Sequence, residues 1–522
     1  MSQTPFGTTD LSQAAIVVEP AGTVVTYAEL EARSNRAAHL FRARGLERGS
    51  CVAILSENRA EYLELAWAAQ RAGLYYVGVN IHLTPAEAAY IVRDSGAGLV
   101  VASDTLGELA DETLAEPELA SAGRLMLGTP REGWESYEAE VARLPGTPID
   151  DQCEGDFLLY SSGTTGRPKG IERPLPGGPL GTAPDLPGQW LRALMGFTPG
   201  DVYLSPAPLY HAAPLAWSMS THRNGGTAVV LERFDAELAL AAIERHRVTH
   251  SQWVPTMFAR LLKLPAPVRA GYDLSSLRHA VHAAAPCPPE VKRAMIEWWG
   301  PVLFEYYSST EGAGATSITS EEWLRKPGSV GRPLMGRPHI VDDEGNELPA
   351  GTVGTIWFEG TTGFSYHADP DKTAAAHDAQ GRTSVGDVGH LDEDGYLFLS
   401  DRRAHLIISG GVNIYPREIE DALLMHPAVA DLGVVGLPDP DMGERVVAVV
   451  QPQDPAAAGP ELAADLIAFA RTKLGGHKVP RDIRFSGELP RTPTGKMRKH
   501  ELRDRLLHEC VVPSTPGGTA TS

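Results

Sequence analysis

The sequence predicts an α/β protein, with a large amino-terminal domain of parallel sheets covered by helices and a small α+β domain after it. Two observations carry this prediction. Strands that are apolar throughout alternate with helical segments up to about residue 306, which is typical of parallel sheets buried on both faces. After about residue 330, turn signals such as DDEGN at 342–346 and DEDG at 392–395 separate short strands, which indicates hairpins.

The first elements follow one by one from local signals. AAIVV at 14–18 and CVAIL at 51–55 are apolar runs of strand length. TYAE at 26–29 and TPAE at 84–87 are capping boxes that each predict a helix start, the second with Pro at the first helical position. Further predictions are a helix to about residue 45, a helix over 60–72, and strands at 98–101, 227–231, 251–254 and 302–306.

The end of the chain has its own set of elements. These are a strand at 406–408, a helix from 416 to about 425, strands at 434–435 and 446–450, a helix from about 462, and a basic helix over 499–507. We therefore expect a large domain over 1–401, a small domain of ordinary size over 402–511, and a disordered Pro/Gly/Thr-rich tail over 512–522.

Composition limits the function classes. The chain has 522 residues, of which 43% are hydrophobic, so it should be globular. Its net charge of −20 disfavours nucleic acid as the main partner. The four cysteines lie far apart, which argues against a disulfide framework or a zinc site. No targeting segment and no membrane-spanning apolar run is present, so we expect a cytoplasmic protein. The oligomeric state stays open, with a homodimer as one alternative.

The stretch YSSGTTGRPKG at 160–170 directly follows an apolar run, FLL, at 157–159. Glycines let backbone N–H groups approach an anion, hydroxyls add donors, and a lysine adds a positive charge, which together suit a polyphosphate. The stretch is not a Walker motif, because no Gly precedes Lys169. We predict that it binds phosphates, with a flexible surface turn as the alternative.

Four further stretches follow in order: YSSTE at 307–311, SVGD at 384–387, DR at 401–402 with IISGGVNIYPREIE at 407–420, and PRTPTGK at 490–496. With the first stretch, they resemble the motifs of the adenylate-forming superfamily, which contains acyl- and aryl-CoA synthetases, peptide-synthetase adenylation domains and beetle luciferases. The resemblance covers essentially residues 10 to 510. It implies that the small domain is mobile.

The resemblance implies a reaction with two halves. A carboxylate attacks the α-phosphorus of ATP and expels pyrophosphate, and the thiol of CoA then attacks the acyl-adenylate and releases AMP. The first half needs no base, because a carboxylic acid with a pKa of about 4 is ionised at neutral pH. The protein has to align two anions and neutralise the charge that develops. ATP, Mg²⁺ and CoA are the expected cofactors and co-substrate.

The resemblance also implies roles for individual residues. The catalytic ones are Lys496, Glu311, Thr165 and His211. Lys496 should meet the carboxylate and the α-phosphate, and Glu311 should bind Mg²⁺. The group that holds the β- and γ-phosphates consists of Ser161, Ser162, Gly163, Thr164, Thr165 and Lys169. A solvated lysine in a basic surface stretch is the alternative for Lys496.

The nucleoside, the thiol and the acid each have implied contacts. Tyr307 should stack on adenine opposite the backbone of Ala284 and Ala285, while Asp387 and Arg402 should bind the ribose, with Thr310 nearby. Gly410 and Gly411 should let the pantetheine arm pass. His211 should gate the acyl or thiol channel, and the acid pocket should be lined by Trp253, Met257 and Ala283. Plain core packing is the alternative for Tyr307, Trp253 and Met257, a structural role for His211, and a turn position for Asp387.

Three features depart from the family pattern. Ala404 replaces the usual Asp or Lys at the hinge, and Ser308 replaces a Gly. The Pro/Gly-rich segment PLPGGPLGTAPDLPG at 174–188 is unusual, and we expect a loop that shapes the pocket mouth.

The nature of the acid stays open at this stage. Ala212 and Ala213 stand where activators of amino acids usually carry an acidic residue, so we expect an uncharged acyl chain. A medium- or long-chain fatty acid is the first expectation, and an aryl, branched or steroid-type acid is the alternative. Two other readings are transfer to a carrier-protein thiol and a catalytically silent nucleotide-binding protein. Lys496, Glu311, Asp387 and Arg402 together speak against the silent protein.

Overall fold

The structure is a computed structural model, and it describes most of the chain. The described residues are 5–7, 10–161, 169–183, 185–361, 364–366, 369–402, 405–410, 412–491 and 497–511. The tail over 512–522, for which we expected disorder, lies outside them. Among the described residues, no helix combines the length and the apolar character needed to cross a lipid bilayer.

The elements of the chain up to residue 172 alternate strand and helix. They are β1 (Ala14–Glu19), β2 (Thr23–Thr26), α1 (Tyr27–Ala43), β3 (Cys51–Leu55), α2 (Ala60–Arg71), β4 (Tyr75–Gly78), α3 (Pro85–Asp94), β5 (Ala97–Ser103), α4 (Gly107–Thr113), β6 (Gly123–Leu127), β7 (Glu135–Ser136), α5 (Tyr137–Val141), β8 (Asp156–Phe157), β9 (Leu159–Ser161) and β10 (Lys169–Glu172).

The same alternation continues to the end of the large domain. The elements are α6 (Leu186–Ala193), β11 (Val202–Ser205), α7 (Ala212–Arg223), β12 (Thr227–Leu231), α8 (Ala236–His246), β13 (His250–Trp253), α9 (Pro255–Leu262), α10 (Ala266–Arg269), β14 (His279–His282), α11 (Pro289–Trp299), β15 (Leu303–Ser308), β16 (Ala315–Thr319), α12 (Ser320–Arg325), β17 (Ser329–Met335), β18 (Arg337–Val341), β19 (Gly354–Glu359), β20 (Ser365–Tyr366), α13 (Pro370–Ala375), β21 (Asp387–Leu391) and β22 (Leu397–Arg402).

The carboxyl-terminal part forms a compact α+β unit. Its elements are β23 (Ile407–Ser409), β24 (Val412–Ile414), α14 (Pro416–Leu424), β25 (Val429–Asp439), β26 (Gly443–Pro452), α15 (Pro460–Lys473), β27 (Asp482–Phe485) and α16 (Lys499–Val511). Within the described residues its sheet has the order β24-β23-β26-β25, with β27 parallel to β26. Ile419, Leu423 and Leu466 bury helices α14 and α15 against this sheet.

The capping boxes predicted from the sequence are formed. The Thr26 hydroxyl accepts the backbone N–H of Glu29, and the Glu29 carboxylate accepts the backbone N–H of Thr26. The same exchange joins Thr84 and Glu87 at the start of α3. Each exchange satisfies two N–H groups that a helix start would otherwise leave without partners, so α1 and α3 begin where the sequence predicts.

Parallel sheets form the large domain, as predicted. In the described residues a six-stranded sheet has the order β7-β6-β5-β3-β4-β8, and all neighbouring strands in it pair in parallel. A second sheet runs parallel from β1 through β12, β11, β13 and β14 to β15. Beyond β15 the same sheet continues with the antiparallel strands β16, β17, β22, β21, β19 and β18. The predicted hairpins therefore extend this sheet.

The Pro/Gly-rich segment is attached to the core by a buried carboxylate. Its loop is shorter than predicted, because α6 starts at Leu186 with a proline in its first turn. Glu154 is fully buried and accepts hydrogen bonds from Gln70 Nε2 at 2.7 Å, from Arg223 at 2.5 Å and from the backbone N–H of Gly181. The backbone N–H of Glu154 donates to the carbonyl of Gly178 at 3.0 Å. These bonds hold the segment where it enters α6.

We expect Glu154→Ala to lower the free energy of unfolding by about 1–3 kcal/mol, because it removes a buried carboxylate and leaves the partly buried Arg223 and the buried Gln70 without this acceptor. Thermal denaturation of the two proteins measures the change. Asp273→Ala removes the exposed Asp273–Arg247 ion pair and serves as the control, for which we expect an almost unchanged melting temperature. Equal stability of the Glu154 variant and the wild type would contradict this role.

Candidate active site

Strand β15 presents alternating side chains to two sides of the sheet. Phe304 and Tyr306 face helices α6 and α7, where both pack in an aromatic cluster. Leu303 and Glu305 face α11, and Tyr307 continues this side. Because side chains of a strand alternate, neighbouring residues at the carboxyl end of β15 face two different spaces. Tyr306 and Tyr307 both line one cavity of about 990 Å³.

One side of the cavity, which we call the nucleoside side after its predicted role, brings several predicted residues together. Ala284, Ala285, Tyr307 and Asp387 all line it. The Tyr307 hydroxyl donates to Asp387 Oδ2 at 2.6 Å. Strand pairing places the backbone of Arg402 directly opposite Asp387, although the Arg402 side chain is outside the described part of the chain. A flat aromatic ring next to a carboxylate is suited to a base and its ribose.

Ala284 has a left-handed backbone conformation, with φ of 72°. This region costs an L-residue other than Gly about 1–2 kcal/mol, and such strain is concentrated at functional sites. Ala284 follows the end of β14 and lies on the cavity wall. The local turn exposes the backbone of Ala284 and Ala285 to the cavity, in agreement with their predicted role as the second adenine wall, which stays a prediction.

The predicted phosphate segment lies largely outside the described residues. The undescribed range 162–168 contains Ser162, Gly163, Thr164 and Thr165. The side chains of Ser161 and Lys169 are not described either. The two flanking strands are described. β9 and β10 pair antiparallel with Ser161 opposite Lys169, so the two ends of the segment lie side by side.

Thr310 and Glu311 lie next to the strands that flank this segment. Arg173, just after β10, donates to the Thr310 carbonyl at 3.0 Å. Tyr366 of β20, which pairs with β10, donates its hydroxyl to Glu311 Oε1 at 3.0 Å. The Glu311 carboxylate therefore lies beside β20, which pairs with a strand that flanks the segment, and its predicted role in binding a metal stays a prediction.

On the other side of β15, four aromatic side chains form a wall. The ring centroid of Trp190 lies 5.5 Å from Tyr306 and 6.5 Å from Trp217. Trp217 lies 6.0 Å from Tyr306 and stacks on Tyr203 at 6.5 Å. Gln252 is buried beside them and donates to the Tyr306 hydroxyl at 3.4 Å. We call Trp190, Tyr203, Trp217 and Tyr306 the aromatic wall. Tyr306 lines the cavity, and the other three rings pack behind it and are not among the described cavity-lining residues.

The residues predicted for the acid pocket are separated in space. Met257 lines the cavity. Trp253 is buried in the core instead, where its indole N–H donates to Ser251 Oγ at 2.7 Å and its ring packs on Trp299 at 5.3 Å. Ala283 is also buried and is not among the cavity-lining residues that the structure describes. The side chains of the aromatic wall lie on the opposite face of the sheet from the Trp253 side chain.

His211 is the N-cap residue of α7, without a side-chain cap bond. Its ring packs on Tyr210 with the centroids 4.7 Å apart. Burial, with a smaller effect of the neighbouring His82, lowers the pKa of His211 to about 3. The imidazole is therefore neutral at physiological pH, so His211 offers hydrogen bonds and no positive charge.

The small domain closes one side of the cavity. Lys263 of the large domain donates to the carbonyl of Ala430 at 2.9 Å, and Arg417 of the small domain donates to the carbonyl of Leu399 at 3.0 Å. Arg491 forms a two-point ion pair with Asp431, with contacts of 2.5 and 2.6 Å. The last pair lies within the small domain and faces the cavity. Sequence reasoning did not identify Lys263 and Arg417, because nothing in their local sequence shows that they make contacts across the domain interface.

Several predicted residues of the small domain are only partly described. Lys496, Ala404 and Gly411 lie outside the described residues. Arg491 and Met497, which flank 492–496, form a backbone bridge, and the N–H of Arg498 donates to the carbonyl of Pro490 at 2.8 Å. Gly410 has φ of 58° and lies against Met442, so a side chain there would meet the Met442 methyl group at 2.6 Å.

A buried ion pair at the cavity, whose carboxylate residue Glu305 lines it, was also missed. Lys292 of α11 is fully buried and pairs with Glu305, and His282 Nε2 lies 3.8 Å from the same carboxylate. Burial, together with the charge of Lys292, lowers the pKa of His282 well below its usual value. The signal in the sequence was a single glutamate inside the apolar strand LFEYY. The pair fixes the face of β15 that carries Tyr307.

Comparison with known proteins agrees with this geometry. Residues 9–365 match the model of the AMP-binding enzyme family, and residues 418–496 match that of the AMP-binding enzyme C-terminal domain. The chain belongs to the AMP-binding enzyme family. This confirms the predicted adenylate-forming superfamily, the predicted fold class and the prediction of an AMP-forming acid–thiol ligase.

Similar proteins differ in their named activities. A feruloyl-CoA synthase from Amycolatopsis sp is 35% identical over 503 residues, covering 95% of this chain and 97% of that protein. The fatty acid–[acyl-carrier-protein] ligase ScoC of Streptomyces coeruleorubidus is 32% identical over 496 residues, covering 93% and 92%. The structure of the amide bond synthetase McbA from Marinactinospora thermotolerans matches with a TM-score of 0.79 at 31% identity, covering 95% and 97%.

We expect Asp387→Asn to raise the KM for ATP about 10- to 100-fold, because it removes the negative charge from the predicted hydrogen bond to the ribose of ATP. The asparagine side chain can still accept the hydrogen bond from the Tyr307 hydroxyl. The KM for the acid should stay within about twofold, because Asp387 lies on the side of the cavity predicted to hold the nucleoside. The kcat should also change little, since ribose binding contributes equally to the ground state and the transition state. Steady-state kinetics with each substrate varied separately measures both values.

The control for Asp387→Asn is Asp342→Asn, which changes a carboxylate that caps an exposed turn. We expect this variant to behave like the wild type toward ATP. A change in the acid KM with an unchanged ATP KM in Asp387→Asn would overturn the assignment.

Proposed function

We propose that the protein is an ATP-dependent acid–CoA ligase whose acid substrate is an aryl acid, activated through an acyl-adenylate. The observation that carries the choice of acid is that Tyr306, which lines the cavity, is backed by the other rings of the aromatic wall. Rigid aromatic rings favour a flat ring, because offset and edge contacts add to the burial of apolar surface. The 35% identical feruloyl-CoA synthase supports the same class. A medium- or long-chain fatty acid, the first expectation from the sequence, is the alternative substrate that the experiment below has to exclude.

The division of the chain is part of the proposal. A large domain over 1–401 would supply the nucleotide and acid sites, and the mobile small domain over 402–511 would supply Lys496 for the first half-reaction. In the second half-reaction, Gly410 and Gly411 would let the thiol of CoA reach the adenylate, with His211 at the channel. Asp387, Arg402 and Tyr307 would hold the nucleoside, and residues 161–169 would hold the phosphates.

Mg²⁺ fits the residues near the phosphate segment. This ion is usually held by one or two carboxylates together with substrate phosphates and water. The Glu311 carboxylate beside Arg173 and Tyr366 meets that requirement. Within the described residues no group of three or more His, Cys, Asp or Glu side chains could hold a metal without the nucleotide. When bound with ATP, the ion would neutralise phosphate charge, and Glu311 would hold and orient it.

A panel of acids tests the proposed substrate class. We expect kcat/KM for cinnamate or benzoate to exceed that for decanoate and hexadecanoate by about tenfold or more, since shape discrimination in an apolar pocket has this magnitude. CoA consumption and AMP release measure the reaction. Turnover of decanoate alone would overturn the aryl proposal in favour of a fatty acid.

The thiol acceptor is tested with the same acids. Release of AMP that depends on CoA supports the ligase. Adenylate formation without thioester would favour a carrier-protein thiol, which the named activity of ScoC makes the specific alternative.

We expect Lys496→Ala to lower the rate of adenylate formation by about 10²–10³-fold, because one positive donor to the developing charge is lost. Thioester formation from supplied acyl-adenylate should be largely retained, since that half needs no charge at the α-phosphate. ATP–pyrophosphate exchange and thioester formation are measured separately. The control is Lys473→Ala, at an exposed contact of 3.7 Å with Glu290. Equal loss of both halves in Lys496→Ala would contradict its role.

A further inference from the structure

Lys263 reaches from the large domain to an irregular point in a strand of the small domain. It ends α9, and its ammonium donates to the carbonyl of Ala430 at 2.9 Å and lies 3.5 Å from that of Val429. The pairing of β25 with β26 shifts register between Val429 and Asp431, so Ala430 has no partner residue on β26. A bulged residue is left out of the ladder, and its carbonyl is available to a donor from outside the sheet.

The residue after this bulge holds a segment that borders the cavity. Asp431 accepts two hydrogen bonds from Arg491, at 2.5 and 2.6 Å. Arg491 forms a backbone bridge with Met497, and both residues line the cavity. The segment 492–496 therefore begins and ends at the cavity. Lys263 thus holds the strand immediately before the residue that anchors Arg491.

A second contact across the domain interface runs in the opposite direction. Arg417 of α14 donates to the carbonyl of Leu399 at 3.0 Å, and its side chain is only 12% exposed. Leu399 lies on β22, which pairs with β21, the strand that begins at Asp387 on the nucleoside side. A single hydrogen bond would let one domain pivot on the other, whereas two bonds at separate points fix the orientation. Lys263 and Arg417 supply these two points.

The glycine turn predicted for the thiol lies elsewhere in this orientation. Gly410 is not among the cavity-lining residues that the structure describes. Ile408 and Val412, two residues before and after it, are 52% and 44% exposed although both are apolar. The small domain thus presents the ends of the segment 492–496 to the cavity. Bringing the glycine turn there instead requires a rotation of the small domain, which breaks both contacts across the interface.

We propose that Lys263 and Arg417 are positioning residues for adenylate formation, because they hold the small domain in the orientation that brings the segment 492–496 to the cavity. The inference rests on the proposed function, which assigns Lys496 to the first half-reaction. A contact made in one orientation alone shifts the equilibrium toward that orientation by its own free energy. Loss of either contact therefore slows adenylate formation and leaves thioester formation intact.

Lys263→Met tests the proposal, because methionine nearly keeps the length of the side chain and removes its donor. We expect kcat for ATP–pyrophosphate exchange to fall about tenfold, the order expected for the loss of one hydrogen bond from a charged donor. Thioester formation from supplied acyl-adenylate and CoA should be unchanged or faster. Lys263→Arg retains a donor and should recover most of the exchange rate. We expect Arg417→Met to show the same difference between the two half-reactions.

Lys326→Met is the matched control. Lys326 also donates to two acceptors, Asp392 and Asp394, at 2.7 and 2.5 Å, but all three residues belong to the large domain. None of them is among the cavity-lining residues in the described part of the chain. We expect the rates of both half-reactions to match those of the wild type, because no contact between the domains is lost.

The outcomes separate the two proposals. Three results would overturn this inference and leave the ligase intact: equal loss of both half-reactions in Lys263→Met, an unchanged exchange rate in both Lys263→Met and Arg417→Met, or a raised KM for CoA with an unchanged exchange rate. No ATP–pyrophosphate exchange by the wild type with any acid would overturn the proposed function and this inference together. Lys263 is exposed, so its variant keeps the test valid if Arg417→Met folds poorly.

Discussion

The alternation of side chains at the carboxyl end of β15 is the constraint on which the candidate site depends. Tyr306 belongs to the aromatic wall, and Tyr307, the next residue, bonds Asp387 and lines the cavity together with Ala284. One strand thereby contributes neighbouring side chains to two sides of a single cavity. An enzyme that joins an acid to a nucleotide needs both substrates within a few ångströms, and adjacent residues of a strand supply that proximity.

The position of β15 is fixed from both faces. On one face, the buried ion pair of Lys292 with Glu305 ties the strand to α11, and removing either partner would leave an uncompensated charge. On the other face, Phe304 and Tyr306 pack among α6 and α7. The Glu154 anchor acts one step further out, because it holds the segment that leads into α6 and therefore Trp190. The Lys292–Glu305 ion pair and the Glu154 hydrogen bonds thus fix the positions of β15 and of the aromatic wall.

Local signals predicted the elements. Motif order suggested the nucleoside residues, of which Tyr307 and Asp387 do meet, while their role stays a prediction. The capping boxes at Thr26 and Thr84 depend only on neighbours in sequence. The same holds for the turn signals that separate the short strands after residue 330. Trp253 shows the limit of local signals. Its side chain is buried on the opposite face of β13 from Gln252, and side-chain alternation alone does not say which face of a strand borders a cavity. The Lys263 contact with Ala430 depends on domain placement, which no local pattern contains.

Leucine substitutions at the two neighbouring tyrosines test the central claim most directly. Steady-state kinetics on Tyr306→Leu and Tyr307→Leu, with acid and ATP varied separately, would show which substrate each side chain contacts. The account predicts that Tyr306→Leu raises the KM for the acid with the KM for ATP unchanged, and that Tyr307→Leu does the reverse. Weakened binding of the same substrate in both variants would contradict it.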